Sequence, residues 1–448
     1  MYVPLQHFEG GIVSVGFLLF LIVSATVYYL INSKLRSAWL IICSIAFISL
    51  ISDNLGAIFA VAISALANFT LAILNSSRKK IVLFIAIFLN VAILIFAKVL
   101  ALDNVLLIGI SYYTFSQISY QIDIQRGKDP ERNFFKYFFF VSFFPKFVAG
   151  PIERGDFITQ IQDKQFDYRS IESGFSLILF GFLKKLLVSG LLGSLLNPVF
   201  GKPEIYSGPD FMIATILFAF QIYFDFSAYT DIARGTARIF GYELRENFKS
   251  PYLSKSISEF WTKWHMSLTS FVRDYIYIPL GGNRSGILRT SMNQLLTLLI
   301  IGAWHGLTAN YIVWGFLNGV YLIIGNYVRN IKLPNILKLI CVFIAICSTW
   351  VFFRAKSIND GLYIYGHMFT GWNSNLFNHI HSVFGLDRLV IIFLLVTVIE
   401  FVVVVSRIGF KFPTAVRWAC FVITSWVVLI LLFSSSGIIQ NDFIYAGF

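Results

Sequence analysis

Two histidines carry the chemistry that this sequence can do. His305 lies in the apolar run from Leu295 to Trp314, inside Gly302-Ala303-Trp304-His305-Gly306. An ionisable side chain is costly to place at membrane depth, so by default it marks chemistry or transport rather than packing. His265 precedes it by forty positions, in Trp264-His265-Met266-Ser267-Leu268, behind a basic and aromatic stretch. A buried imidazole stays neutral near pH 7 because burial disfavours the cation, and a neutral imidazole can accept a proton from a hydroxyl. Forty residues of unbroken helix would hold the two rings about 60 Å apart. Pro279 and Gly281-Gly282 interrupt the intervening chain and allow it to double back. Together the two histidines suggest an active site within a bilayer.

The elements that would position them are membrane helices. Of the 448 residues 57% are hydrophobic and 13% charged, with a mean hydropathy of +0.75, which does not describe a water-soluble globule. The expected fold is an all-α polytopic membrane protein with about twelve transmembrane helices plus re-entrant and interfacial helices. The apolar stretches are 11–31, 38–52, 55–74, 81–102, 104–124, 171–196, 210–226, 290–308, 311–328, 337–353, 387–406 and 414–433. The first has no small-residue cleavage site and is expected to be a retained helix. Cys43, Cys341, Cys347 and Cys420 all fall in apolar runs with no metal-ligand spacing, so buried thiols and no metal site are expected.

The formal charge of +12 would invite a nucleic-acid reading in a soluble protein. Its distribution argues against one. With the amino terminus outside, 28 of the 35 basic residues fall in loops on the inner side or at the helix ends that border them, the bias that orients membrane proteins. Both termini are then extracytoplasmic. Excess inner-face charge suits anionic lipid headgroups or an acidic thioester donor. Residues 134–152, broken by Pro145, Gly150 and Pro151, read as a re-entrant or interfacial element. The mixed stretch from Asp225 to Arg289 is too polar to span in one pass and forms a platform for a site near the inner face. With no repeat or linker evident, residues 1–448 are expected to form one domain, with 434–448 as an outward-facing tail.

The motifs then follow in order. Gly109-Ile110-Ser111-Tyr112-Tyr113-Thr114-Phe115 precedes Phe143-Phe144-Pro145-Lys146-Phe147-Val148-Ala149-Gly150-Pro151-Ile152, then Asp225-Phe226-Ser227-Ala228-Tyr229-Thr230-Asp231 and Glu246-Asn247-Phe248-Lys249-Ser250-Pro251-Tyr252. Glu259-Phe260-Trp261-Thr262-Lys263-Trp264-His265, Arg273-Asp274-Tyr275 through Gly281-Gly282-Asn283-Arg284, and Trp304-His305-Gly306 complete the series. From about Leu106 onward this resembles the membrane-bound O-acyltransferase (MBOAT) family, in its bacterial branch typified by the membrane subunit of alginate O-acetyltransferase.

The resemblance implies the MBOAT fold, with His305 as the catalytic histidine and His265 as its companion. It implies transfer of an acyl group, in the first instance acetyl, from a cytoplasmic thioester to an extracytoplasmic acceptor. The donor substrate would be acetyl-CoA or an acyl-carrier thioester, with no cofactor bound. A positioned histidine that removes the hydroxyl proton contributes about two to four orders of magnitude. Trp304, Trp264 and Asn283 are channel or motif candidates, the tryptophans most simply as walls. Asp225 and Asp231 could line a polar funnel or pair with Arg234 or Arg238. Topology places Tyr445 outside; the closing Phe443-Ile444-Tyr445 resembles the tail of the same branch, which makes Tyr445 a candidate acyl relay, with a membrane-surface anchor as the alternative. A periplasmic or extracellular acyltransferase partner, membrane lipids, and a place in the bacterial inner membrane are implied in the same way. Two alternatives remain open: D-alanyl transfer from a carrier protein, and a polysaccharide or lipid-linked sugar transporter.

Overall fold

The computed structural model describes residues 11–52, 55–99, 109–284, 286–372, 382–407 and 414–434, and among these every regular element is helical. Each of the twelve apolar stretches overlaps helical structure in its described part. Among the described residues seven helical segments are long and apolar enough to cross a membrane: Ser33–Ser52, Leu55–Asn75, Lys80–Val99, Tyr168–Gly201, Gly208–Ile239, Gly286–His305 and Asn335–Arg354. Val15–Leu30 is a shorter apolar helix. The described residues divide into two compact units, one within 11–182 and 228–246, the other within 183–227 and 247–434.

In the first unit, buried amides join helices that lipid alone would not hold together. Asn68 Nδ2 donates to Gln117 Oε1 (3.0 Å), Asn90 Nδ2 to Asn68 Oδ1 (2.7 Å), and Ser64 Oγ to Gln117 Oε1 (3.0 Å). Such interhelical bonds, together with close packing, drive association where both phases are apolar. The aromatic segment begins as the helix Phe134–Ser142, whose first amides donate to Asn133 Oδ1. It breaks at Phe143, and Pro145 sits in the first turn of the short helix Phe144–Phe147, where its missing N–H costs nothing. Residues 137–147 are buried throughout, so the broken backbone is enclosed by protein.

One expected boundary moves. The stretch that hydropathy ends at 226 belongs to a helix running to Ile239. Its polar continuation fails to end it because Ser227, Thr230 and Thr236 are buried, and a hydropathy reading assumes that they meet lipid or water. In the first unit this continuation packs closely on Tyr168–Leu183: a Cβ on Gly181 would lie 2.7 Å from the Ala228 carbonyl, and one on Gly174 2.7 Å from that of Gly235.

In the second unit the helices Gly286–His305 and Ala309–Tyr327 form an antiparallel hairpin. They cross backbone to backbone at glycines. A Cβ on Gly302 would lie 2.5 Å from the Tyr311 carbonyl, and one on Gly315 2.5 Å from that of Leu298. The helix Asn335–Arg354 packs on the hairpin's second arm. Its C-terminal carbonyls are met by Asn310, whose Nδ2 donates to Phe352 O (3.3 Å) and Ala355 O (3.0 Å). Gly302→Ala is expected to force the hairpin apart, at a cost of about 1–3 kcal/mol for overpacking. Thermal unfolding in detergent reads this, with catalytic loss exceeding that of a surface glycine exchange such as Gly366→Ala, where a Cβ meets nothing.

Candidate active site

His305 is the last residue of the hairpin's first arm, 4% exposed, directly before the turn at 306–308. Four rings enclose it. Trp304 lies at 4.6 Å between ring centroids, Trp314 at 5.1 Å and perpendicular, Phe353 at 5.1 Å and Tyr311 at 6.4 Å. The hairpin supplies three of these, and the end of Asn335–Arg354 supplies Phe353. The histidine thus sits in an aromatic chamber at a helix end, where backbone positions all of its neighbours.

His265 stands at a turn between the helices Ile257–Lys263 and Met266–Val272, 1% exposed. Its φ of 43° lies in the left-handed region that non-glycine residues rarely occupy, a strain on the order of 1–3 kcal/mol. Asn247 holds the turn. Its carbonyl accepts from Met266 N (2.9 Å) and its Oδ1 from Ser267 N (3.1 Å), meeting the first unsatisfied amides of the following helix. The ring edge packs against Phe226 at 4.6 Å, and Trp304 lies 6.3 Å away. One indole therefore bridges histidines that are forty residues apart in sequence. Burial pulls the His265 imidazole from its ordinary value near 6.5 down to about 3, so at neutral pH it is an uncharged ring.

The remaining sequence candidates divide. Trp264 is 1% exposed, stacked on Phe260 (5.6 Å) and against Trp350 (5.1 Å). Asp225 is buried one residue before Phe226. Lys185 Nζ donates to its Oδ1 at 2.6 Å and Ser189 Oγ at 2.8 Å. Arg238 pairs with Glu243 (2.9 Å) and Arg234 with Glu246 (3.9 Å). Asp231 belongs to the first unit. Asn283 is exposed in the turn after Tyr277, where the neighbouring Gly282 carbonyl accepts from Asn293 (3.0 Å). Tyr445 lies outside the described residues.

Lys185, Asn247 and Trp314 were not singled out by the sequence reading. The rule that selects His305, an ionisable group in an apolar run, also selects Lys185 in 171–196. Lys184–Ser189 is π-helical, and this local widening accompanies the inward position of Lys185. Asn247 stands in a quoted motif, but its task is a backbone one that residue type does not announce.

Two measurements follow. Lys185→Met leaves a buried carboxylate without its cation and is expected to destabilise by about 3–5 kcal/mol, whereas Lys185→Met with Asp225→Leu recovers most of the loss. Unfolding midpoints of the single and double variants decide it. For His265, the folded state binds fewer protons than the unfolded chain between about pH 6.5 and about 3, so stability present above that window declines as pH falls through it. The slope of melting temperature against pH in that window is expected to flatten in His265→Phe.

The descriptive model of the MBOAT, membrane-bound O-acyltransferase family matches residues 98–359. Over 275 residues the chain is 38% identical to a Pseudomonas putida protein named "Probable alginate O-acetylase AlgI", covering 60% of this chain and 56% of that one. It is 34% identical over 296 residues to a Helicobacter pylori peptidoglycan O-acetyltransferase, covering 58% and 56% of the two chains. It is 28% identical over 278 residues to a Bacillus subtilis teichoic acid D-alanyltransferase, covering 56% and 69%. The chain thus spans little more than half the length of the first two relatives. Over half of its residues match the family model, His265 and His305 among them, and the chain belongs to the membrane-bound O-acyltransferase family.

Proposed function

We propose that this protein is a transmembrane O-acyltransferase that moves an acyl group, in the first instance acetyl, from a cytoplasmic thioester to an extracytoplasmic hydroxyl. The observation that carries the reading is the placement of buried His305 among four aromatic rings, linked through Trp304 to a neutral His265. His305 is the general base that takes the hydroxyl proton as the alcohol oxygen attacks the thioester carbonyl. His265 is a positioning ring for Trp304 and, through it, for His305. The donor is acetyl-CoA or an acyl-carrier thioester. Moving only the acyl group spares the passage of a charged carrier through hydrocarbon, where each charge is costly.

The acceptor is a cell-envelope polysaccharide, reached through a periplasmic or extracellular acyltransferase partner, with Tyr445 as the relay between them. The relatives' names support this class, since alginate, peptidoglycan and teichoic acid all belong to the cell envelope or its exterior. The protein acts as one multi-pass domain over 1–448 in a bacterial inner membrane, both termini outside, with 434–448 as the outward tail. A second reading, D-alanyl transfer from a carrier protein, is favoured by the likeness to the D-alanyltransferase.

The test supplies purified protein in liposomes with acetyl-CoA, acetyl-carrier or D-alanyl-carrier, each labelled in the acyl group, and measures thiol release and acyl product. Acetyl donors are expected to turn over fastest, and His305→Ala to lower kcat by about 10²–10⁴-fold. Preference for the D-alanyl carrier selects the second reading. Glycan movement independent of any thioester and of His305 would instead make the protein a transporter.

A further inference from the structure

Trp314 sits one residue before the glycine at which the hairpin's arms cross, and its ring is 1% exposed. Its indole Nε1 is buried with no hydrogen-bond acceptor among the described residues. Buried donors are nearly always met, so a donor without a protein acceptor calls for an explanation, and a bound group is one. The ring is also fixed. It stands perpendicular to His305 at 5.1 Å, stacks on Trp350 at 5.9 Å, and meets the edges of Trp261 at 6.0 Å and Phe353 at 5.3 Å. With ring centroids 5.1 Å apart, the indole is an immediate neighbour of the imidazole.

We propose that Trp314 is a catalytic residue whose indole N–H donates to the carbonyl oxygen of the acyl group and to the oxyanion formed from it. This rests on the acyl-transfer reading above. Chemistry selects that atom from the two reacting partners. Indole nitrogen only donates, His305 takes the proton of the alcohol, and the acyl carbonyl oxygen is the acceptor whose negative charge grows along the reaction. The alcohol oxygen bonds to the carbonyl carbon while the π pair moves onto the carbonyl oxygen and the hydroxyl proton passes to His305. Collapse re-forms the carbonyl and breaks the carbon–sulfur bond; the leaving thiolate takes the proton back, giving ester and thiol and restoring the neutral histidine. A donor already held in place stabilises the intermediate without reorganising.

The test compares wild type, Trp314→Phe, and protein in which the Trp314 indole is replaced by benzothiophene, which keeps both rings and puts sulfur in place of N–H. Thiol release from acetyl-CoA is measured alongside the melting temperature. The expected result is a kcat about 100-fold lower in both variants, with KM changed by less than about threefold and folding retained. A benzothiophene variant with kcat within about threefold of wild type, or one in which only KM rises, overturns the proposal while leaving acyl transfer standing. Should Trp314→Phe fail to fold, the isosteric variant decides. Wild-type protein that cleaves no thioester, whether coenzyme-borne or carrier-borne, overturns both the proposal and the reading beneath it.

Discussion

Where Gly302 and Gly315 meet, two helix backbones approach so closely that neither can carry a Cβ without displacing a carbonyl. Two apolar helices gain nothing from leaving a solvent as apolar as themselves, so such an approach rests on close contact and on side chains that do not obstruct it. Much of the site depends on that crossing. His305 follows Gly302 by three residues, and Trp314 immediately precedes Gly315. His305 and the indole perpendicular to it are thus held by main chain rather than by long side chains, whose freedom would blur the geometry. Asn310 extends the arrangement to a third helix, bringing Phe353 against the same imidazole.

A second demand runs through the molecule: polar groups removed from water must find partners inside the protein. Asn68, Asn90 and Gln117 meet one another between helices, Lys185 meets Asp225, and Asn247 meets the amides that begin the helix after His265. The left-handed backbone at His265 persists because Asn247 holds both the first and the second residue beyond it. Structural and chemical roles are therefore interleaved in the second unit, with the residues that hold the turn lying beside the rings that line the chamber.

Much of this was legible in the sequence. Apolar length gave the helices, because spanning a bilayer demands about 20 residues whatever else a helix does. An ionisable residue in such a run gave His305, and ordered motifs gave His265. What hydropathy missed has one cause. A scale that scores each residue against water or lipid cannot register that Ser227, Thr230 and Thr236 face protein, and so it ended at 226 a helix that reaches Ile239. The partner of Asp225 was also out of reach, since Lys185 comes from forty residues earlier in the chain. Asn247 makes its contacts through a carbonyl and a side-chain amide and Trp314 through its ring, and nothing in their residue types distinguishes them from other asparagines and tryptophans.

The π-helical turn at Lys184–Ser189 carries a consequence of its own. Such a turn is one surplus residue absorbed into an α-helix. Its effect is one of phase: within Lys184–Ser189 each residue turns the chain by less than the roughly 100° of an α-helix. Deleting any one residue there would leave two sound helices whose inward and outward sides no longer correspond, so that the ammonium now facing Asp225 would swing toward a different neighbour. The segment can change its letters more freely than its length.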